Sequence, residues 1–116
     1  MMVSALTFIL AHGAEGLSSV SQLAVLNANY LKACLKPFYH VPYDAVCKHE
    51  FIINSERQRS QNKAINAMHM VKRLMDFGFH PPTVYFPLIV HEAMMIEPTE
   101  TESKATLDNF VAAMVQ

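Results

Sequence analysis

Residues 80–90 read HPPTVYFPLIV, and this short run holds three of the six prolines in the chain. Each proline fixes its own φ and lacks a backbone N–H, so the run can be neither a helix interior nor a regular central strand. It describes a stiff, extended path. Two accounts of it stand side by side: a rigid connection between core elements, or a segment that holds His80 and Thr83 in place beside a site.

The remaining glycines and prolines divide the rest of the chain. SALTFILA (4–11) reads as a short apolar helix or strand, and HGAEG follows as a break in which Gly13 and Gly16 are turn or cap positions. From Ser18 to Lys36 no Gly or Pro intervenes, Ser18 or Ser19 can cap, and Pro37 stops the helix. Leu17, Val20, Ala24, Leu31 and Cys34 form one apolar face of this helix, and Leu23, Leu26 and Tyr30 a second. A helix apolar on two faces is covered on two sides. Asn27 and Asn29 lie among these positions, and Asn27 in particular reads as a buried amide that needs partners.

FYHVPYD (38–44) is a turn-rich connector, and CKHEFIIN (47–54) is the clearest strand. SERQRSQNK is a polar loop and helix entry, and the helix that follows ends near Phe77, with Ile65, Met68, Val71, Leu74 and Met75 at helical spacing and Gly78 as its C′ glycine. HEAMMIEP carries a strand stopped before Pro98, and Thr99-x-x-Glu102 matches a capping box for a last helix with the stripe Leu107, Phe110, Val111, Met114. The order α-α-β-α-β-β-α predicts a single two-layer α/β (α+β) domain, with helices on a small, mostly antiparallel sheet.

Hydrophobic residues make up 52% of the 116 and charged residues 16%. That is apolar for a free-standing domain of this size, so part of the apolar surface is expected to face a partner chain or a further domain. The formal net charge is −1 and no basic run exceeds Lys72–Arg73, which leaves no electrostatic footprint for nucleic acid or an anionic membrane. No apolar run approaches the ~20 residues of a spanning helix, and MMVSALTFILAHGA lacks the basic start of a signal peptide. Cys34 and Cys47 make no metal spacing and fit a reducing, cytoplasmic setting.

Chemistry is sparse. The histidines at 12, 40, 49, 69, 80 and 91 include no i, i+3 or i, i+4 helix pair, and neither His49-Glu50 nor His91-Glu92 completes H-E-x-x-H, so no metal is expected. Cys47 and His49 would share a strand face, yet no oxyanion device accompanies them. The only G-x-x-G, Gly13 to Gly16, lacks the lysine and hydroxyl of a phosphate loop. EPTETESK (97–104) has a sufficient account as a strand end, a proline stop and a cap.

AVLNANYLKACL (24–35), CKHEFII (47–53), KRLMDFGFHPPTVYFPLIV (72–90) and MMIEPTETESKATLD (95–108) together resemble the C-terminal part of the P-protein of the glycine cleavage system, in the form of glycine dehydrogenase (decarboxylating) subunit 2. The likeness runs from about Val3 onward, in order. It implies the small C-terminal domain of a fold type I, aspartate-aminotransferase-like enzyme that uses pyridoxal phosphate. Such an enzyme decarboxylates glycine and passes the aminomethyl group to the lipoyl arm of H-protein. The partners implied are the remainder of subunit 2, subunit 1 and lipoylated H-protein. None of Lys32, Lys36, Lys48, Lys63, Lys72 or Lys104 matches the family's Schiff-base lysine, which lies in the absent large domain, so this chain alone is expected to be inert and to bind no cofactor. The residues implied near the mouth of the site are His80, Pro81, Pro82 and Thr83, then Glu97, Thr99 and Glu100, then His49 and Glu50. The chain departs from the family pattern at Ala64, where glycine is usual, and at His69, where aspartate is usual. A non-catalytic module or decayed fragment that binds subunit 1 or H-protein is the alternative, and self-association through the apolar surface a third.

Overall fold

The computed structural model describes residues 1–116. Helix α1 spans Met2–Leu35, strand β1 Phe51–Asn54, helices α2 and α3 Glu56–Gln61 and Ala67–Asp76, strands β2 and β3 Thr83–Val84 and Ala93–Ile96, and helix α4 Lys104–Val115. The strands form an antiparallel sheet in the order β1-β3-β2, with Phe51 opposite Ile96 and Thr83 opposite Met95. One core joins them: Leu31 and Leu35 of α1, Phe51 and Ile53 of β1, Val71 and Leu74 of α3, Met94 and Ile96 of β3, and Leu107 and Met114 of α4. Helices on a small antiparallel sheet are the expected α/β class.

Several local expectations hold for the stated reasons. Gly78 takes φ +82°, and the N–H groups of Gly78 and Phe79 donate to the carbonyls of Met75 and Leu74, so the last α3 carbonyls are satisfied in a Schellman turn. The first strand does contain Phe51, Ile52 and Ile53, and the α4 stripe does face inward through Leu107 and Met114.

Other expectations are corrected. SALTFILA is helical and continuous with the next helix across a kink at Gly13, which alone of the first two glycines has positive φ. Gly16 is helical instead, and a Cβ there would lie 2.9 Å from His12 Cβ. Neither Ser18 nor Ser19 therefore caps; Ser19 Oγ donates back to the Glu15 carbonyl inside the helix. The fused helix is long and apolar enough, by length and composition alone, to cross a membrane, which the two runs taken separately are not.

The stretch expected as a polar loop and helix entry forms a short helix of its own, α2, and the helix expected after it starts only at Ala67. Asn62 and Asn66 compete for backbone donors, Asn62 Oδ1 accepting from Ala64 N and Asn66 Oδ1 capping α3 at His69 N. Ala64 does not adopt a left-handed backbone, so a glycine is not required there. Residues 47–50 lie outside the strand, which removes the shared face proposed for Cys47 and His49. Finally, α4 is capped by Ser103, whose Oγ accepts from Thr106 N, and not by Thr99.

The covered faces of α1 also differ from expectation. Its buried residues are Asn27, Ala28, Leu31, Lys32 and Leu35, while Leu23 and Leu26 are exposed. Nothing before Asn27 is buried, and the molecule measures 50 Å along its longest axis against 29 Å across.

Two stability outcomes follow. Replacing the fully buried Ile53 by alanine should cost about 2–5 kcal/mol in urea unfolding, because the cavity sits where β1 meets the helices. Tyr39 is buried and donates to the Met114 carbonyl at 2.6 Å, and burial pushes its hydroxyl up to about 12. The folded state thus holds this proton more tightly than the unfolded chain, whose tyrosine titrates near 10. Stability from Tyr39 is complete below pH 10 and should fall between about pH 10 and 12. Tyr39→Phe, with no proton to lose, should show a flatter decline over that window when unfolding is followed against pH.

Candidate functional site

The candidate site begins where β3 ends. Pro98 has no N–H, so the ladder cannot continue past Glu97, and the chain turns away from the sheet. The turn is held from α1: Asn27 Nδ2 donates to the carbonyls of Thr99 at 2.9 Å and Glu102 at 3.3 Å. Thr99 and Thr101 share a hydroxyl contact of 2.7 Å. Residues 97–102 become a fixed ridge, because the buried amide anticipated at Asn27 finds its partners there.

One cleft, of about 390 Å³, lies on one side of this ridge. Phe79, His80, Pro81, Pro82 and Thr83 form one wall, Glu97, Pro98, Thr99 and Glu102 another, and Leu31, Leu107 and Phe110 add apolar lining from α1 and α4. Phe79 meets Phe110 edge to face, with centroids 5.4 Å apart, which fixes the entry to the proline run. The stiff path through Pro81 and Pro82 carries the chain from the Gly78 turn into β2 and makes it a wall of the cleft. The run is thus a connector from α3 to β2 that also lines the cleft.

A second cleft, of about 380 Å³, opens on the other side, between Val20, Ser21, Ala24 and Val25 of α1 and the residues Lys48, His49, Glu97, Thr99 and Glu100. His49 Nε2 lies 3.7 Å from Glu97 Oε1. Because Phe51 pairs with Ile96, Glu50 falls opposite Glu97 one step further along the register. His49, Glu50 and Glu97 each place a potential ligand atom within 4.8 Å of the others. No sequence spacing announces this cluster, because strand register brings its members together. His49 and Glu97 keep more than half of their side-chain surface exposed, and exposed carboxylates gather in this way without a metal.

All nine residues singled out in the sequence therefore flank one ridge: His80, Pro81, Pro82 and Thr83 on the first side, His49, Glu50 and Glu100 on the second, with Glu97 and Thr99 facing both clefts. Sequence reasoning missed Glu102, Phe79 and Phe110 as lining. The aromatic pair could have been suspected from Phe79 standing beside His80, whereas Glu102 was assigned to a cap it does not form.

A pyridoxal phosphate site does not fit these residues taken alone. The first cleft has no lysine or arginine in its lining, and the second pairs its one lysine, Lys48, with three acidic or imidazole groups where a phosphate would need donors. Lys32 is buried and donates to the Ala45 carbonyl, Lys36 pairs with Asp44, and Lys104 lies 2.7 Å from Asp108. Lys104 and the Tyr30 hydroxyl together hold the Asp108 carboxyl below the usual range, a contact that ties α4 to α1 outside the clefts.

Residues 20–116 match the family model described as glycine dehydrogenase, C-terminal domain. The chain belongs to this family. It is similar to proteins named probable glycine dehydrogenase (decarboxylating) subunit 2, being 58% identical over 112 residues to that of Staphylococcus haemolyticus, 58% over 114 to that of Fervidobacterium nodosum and 54% over 114 to that of Halalkalibacterium halodurans. These matches take in 97–98% of this glycine dehydrogenase C-terminal domain chain but only 22–24% of the relatives, so it spans less than a quarter of their length.

The ridge in this member of the family depends on one amide. Asn27→Ala removes the amide donor from the Glu102 carbonyl and leaves the Thr99 carbonyl with the Glu102 N–H alone, and should cost about 1–3 kcal/mol of stability. Hydrogen exchange should quicken at residues 99–103 and remain unchanged in β1; uniform acceleration throughout would show that Asn27 serves the whole core and not the ridge.

Proposed function

We propose that the chain supplies one wall of the active site of a glycine dehydrogenase (decarboxylating): the small C-terminal domain of subunit 2, in the fold type I setting. In this reading the enzyme decarboxylates glycine with pyridoxal phosphate and transfers the aminomethyl group to the lipoyl arm of H-protein. The observation that carries it is the pair of clefts sharing the ridge 97–102 in a chain whose relatives bear that name. Polar groups converge there, yet Lys48 is the one basic side chain beside them and no phosphate cradle accompanies it, which is what half of a divided site would look like.

In the complete enzyme the cofactor would supply the sink for the electron pair left on the glycine α-carbon as carbon dioxide departs. In this reading the residues that hold it lie in the large domain, upstream of the segment matched here. The part assigned here is positional. His80 and Thr83 stand on a proline-stiffened wall of the first cleft, where they orient a bound polar group, and Glu97, Thr99 and Glu102 close the opposite side, with Glu100 lining the second cleft. His49 and Glu50 set the charge beside the ridge. The unpaired state of Cys34 and Cys47 supports a cytoplasmic setting.

The purified chain should therefore take up no pyridoxal phosphate. A visible absorbance band from bound cofactor that borohydride bleaches would overturn this division of labour. Mixed with the preceding portion of subunit 2, with subunit 1 and with lipoylated H-protein, it should restore glycine–bicarbonate exchange, and His80→Ala in the same mixture should lower kcat/KM by about tenfold or more without lowering Tm. A well-folded complex with no exchange would favour the second reading, a non-catalytic module. The many exposed apolar side chains favour that reading too, and capture of subunit 1 or H-protein by the chain alone would establish it.

A further inference from the structure

The first turns of α1 are apolar without being covered. Met2, Val3, Leu6, Ile9 and Leu10 are 88%, 78%, 57%, 49% and 73% exposed. At about 100° per residue these five fall within an arc of about 120°, whereas Ser4 and Ala11 lie on the opposite side together with Phe8, which is 42% exposed. An apolar stripe of that width on a helix ordinarily faces a core. Here no residue before Asn27 is buried, and the kink at Gly13 sets this segment apart from the half of α1 that packs on the sheet.

Two further facts say what covers it. The family model of the C-terminal domain begins at residue 20, so the stripe lies outside that domain as the family defines it. The relatives nevertheless match 97–98% of this chain, so no more than a few residues of the segment can fall outside the match, and they carry more than three quarters of their length beyond it. A helix shared with the longer proteins but outside the C-terminal domain model belongs with the polypeptide that precedes that domain.

We propose that the stripe Met2, Val3, Leu6, Ile9 and Leu10 is a docking surface, and that its occupant is the portion of subunit 2 that precedes the matched segment in the relatives. This rests on the reading of the chain as part of subunit 2, and adds which face makes the junction. The occupant presents a complementary apolar groove, because the stripe carries no charge. Helix α1 then has two roles divided at Gly13: its C-terminal half builds the ridge and the core, and its N-terminal half anchors the domain to the rest of the subunit.

The test uses the full 116-residue chain and the preceding portion of the Staphylococcus haemolyticus relative, made as a separate, folded protein. Light scattering should show a one-to-one complex. Leu6→Glu/Ile9→Glu should weaken its Kd by about a hundredfold or more, as expected when two such side chains can no longer be withdrawn from water. Ser4→Glu, on the opposite side, should bind as the unaltered chain does, and circular dichroism should show all three equally helical. Equal binding by the double variant places the junction elsewhere and overturns the proposal, while exchange activity in the same mixture would leave the enzyme reading intact. No binding by the unaltered chain also overturns it. So does a stable homodimer of the chain that the double variant abolishes, which would make a second copy the occupant. Binding to phosphatidylcholine–phosphatidylglycerol vesicles, lost in the double variant, would assign the stripe to a membrane instead.

Discussion

Three polar side chains on α1 hold backbone that neither sheet nor helix claims, and the shape of the candidate site depends on them. Asn27 takes the carbonyls of Thr99 and Glu102. Asn29 pairs with both backbone groups of Cys47, its Nδ2 donating to the carbonyl at 2.7 Å and its Oδ1 accepting from the N–H at 3.1 Å. Lys32, though buried, donates to the Ala45 carbonyl. An unpartnered buried polar group costs more than a hydrogen bond gains, so these side chains and loops fix one another in one arrangement. The loops so fixed lead into β1 on one side and out of β3 on the other, which is why His49 and Glu97 can meet at all.

The same logic explains the far end of β3. Glu92 has φ +55°, and its largely buried carboxylate accepts from Ala67 N at 2.5 Å and from Ser55 Oγ at 3.4 Å, with Arg59 3.8 Å away. A negative side chain at the first residue of α3 satisfies a helix donor and favours the helix dipole. The turn after the proline run is thereby tied to α3, the helix from which the run departs. The proline wall is thus held at both ends, by the Gly78 turn and by the Glu92 contact, and needs no long strand to keep its place.

Much of this was legible in the sequence, and the residues that misled share a cause. Gly78, the apolar cores of β1 and β3, the α4 stripe and the need of Asn27 for partners follow from periodicity and local chemistry, which nearby residues decide. The cap of α4 does not. Thr99-x-x-Glu102 and Ser103-x-x-Thr106 both present a hydroxyl before a helix, and the choice is made by Asn27, 72 positions earlier, which draws the Thr99 carbonyl into a turn. Gly13 and Gly16 look alike as letters, although one supplies a positive φ and the other a close approach to His12. The break between α2 and α3 depends on which of several asparagines captures a backbone donor. Strand register, which sets Glu50 opposite Glu97, is invisible until the sheet is known. For the site, the motifs could name its residues, but only the ridge shows that they line two clefts and not one.

Only 20 of 116 residues are buried, although half of the chain is hydrophobic. A domain selected to stand alone would place more of its large apolar side chains inside. Here the hydrogen-bonded frame is nearly complete, with Gln58 Oε1 alone among buried side-chain polar atoms lacking a partner, while the apolar surface is not. Those two measures separate because they answer different demands. Backbone and polar groups must be satisfied within the piece for it to hold a shape at all, whereas apolar surface can be covered later by association. A chain complete in the first sense and incomplete in the second has the physical character of a piece whose apolar surface is left for association.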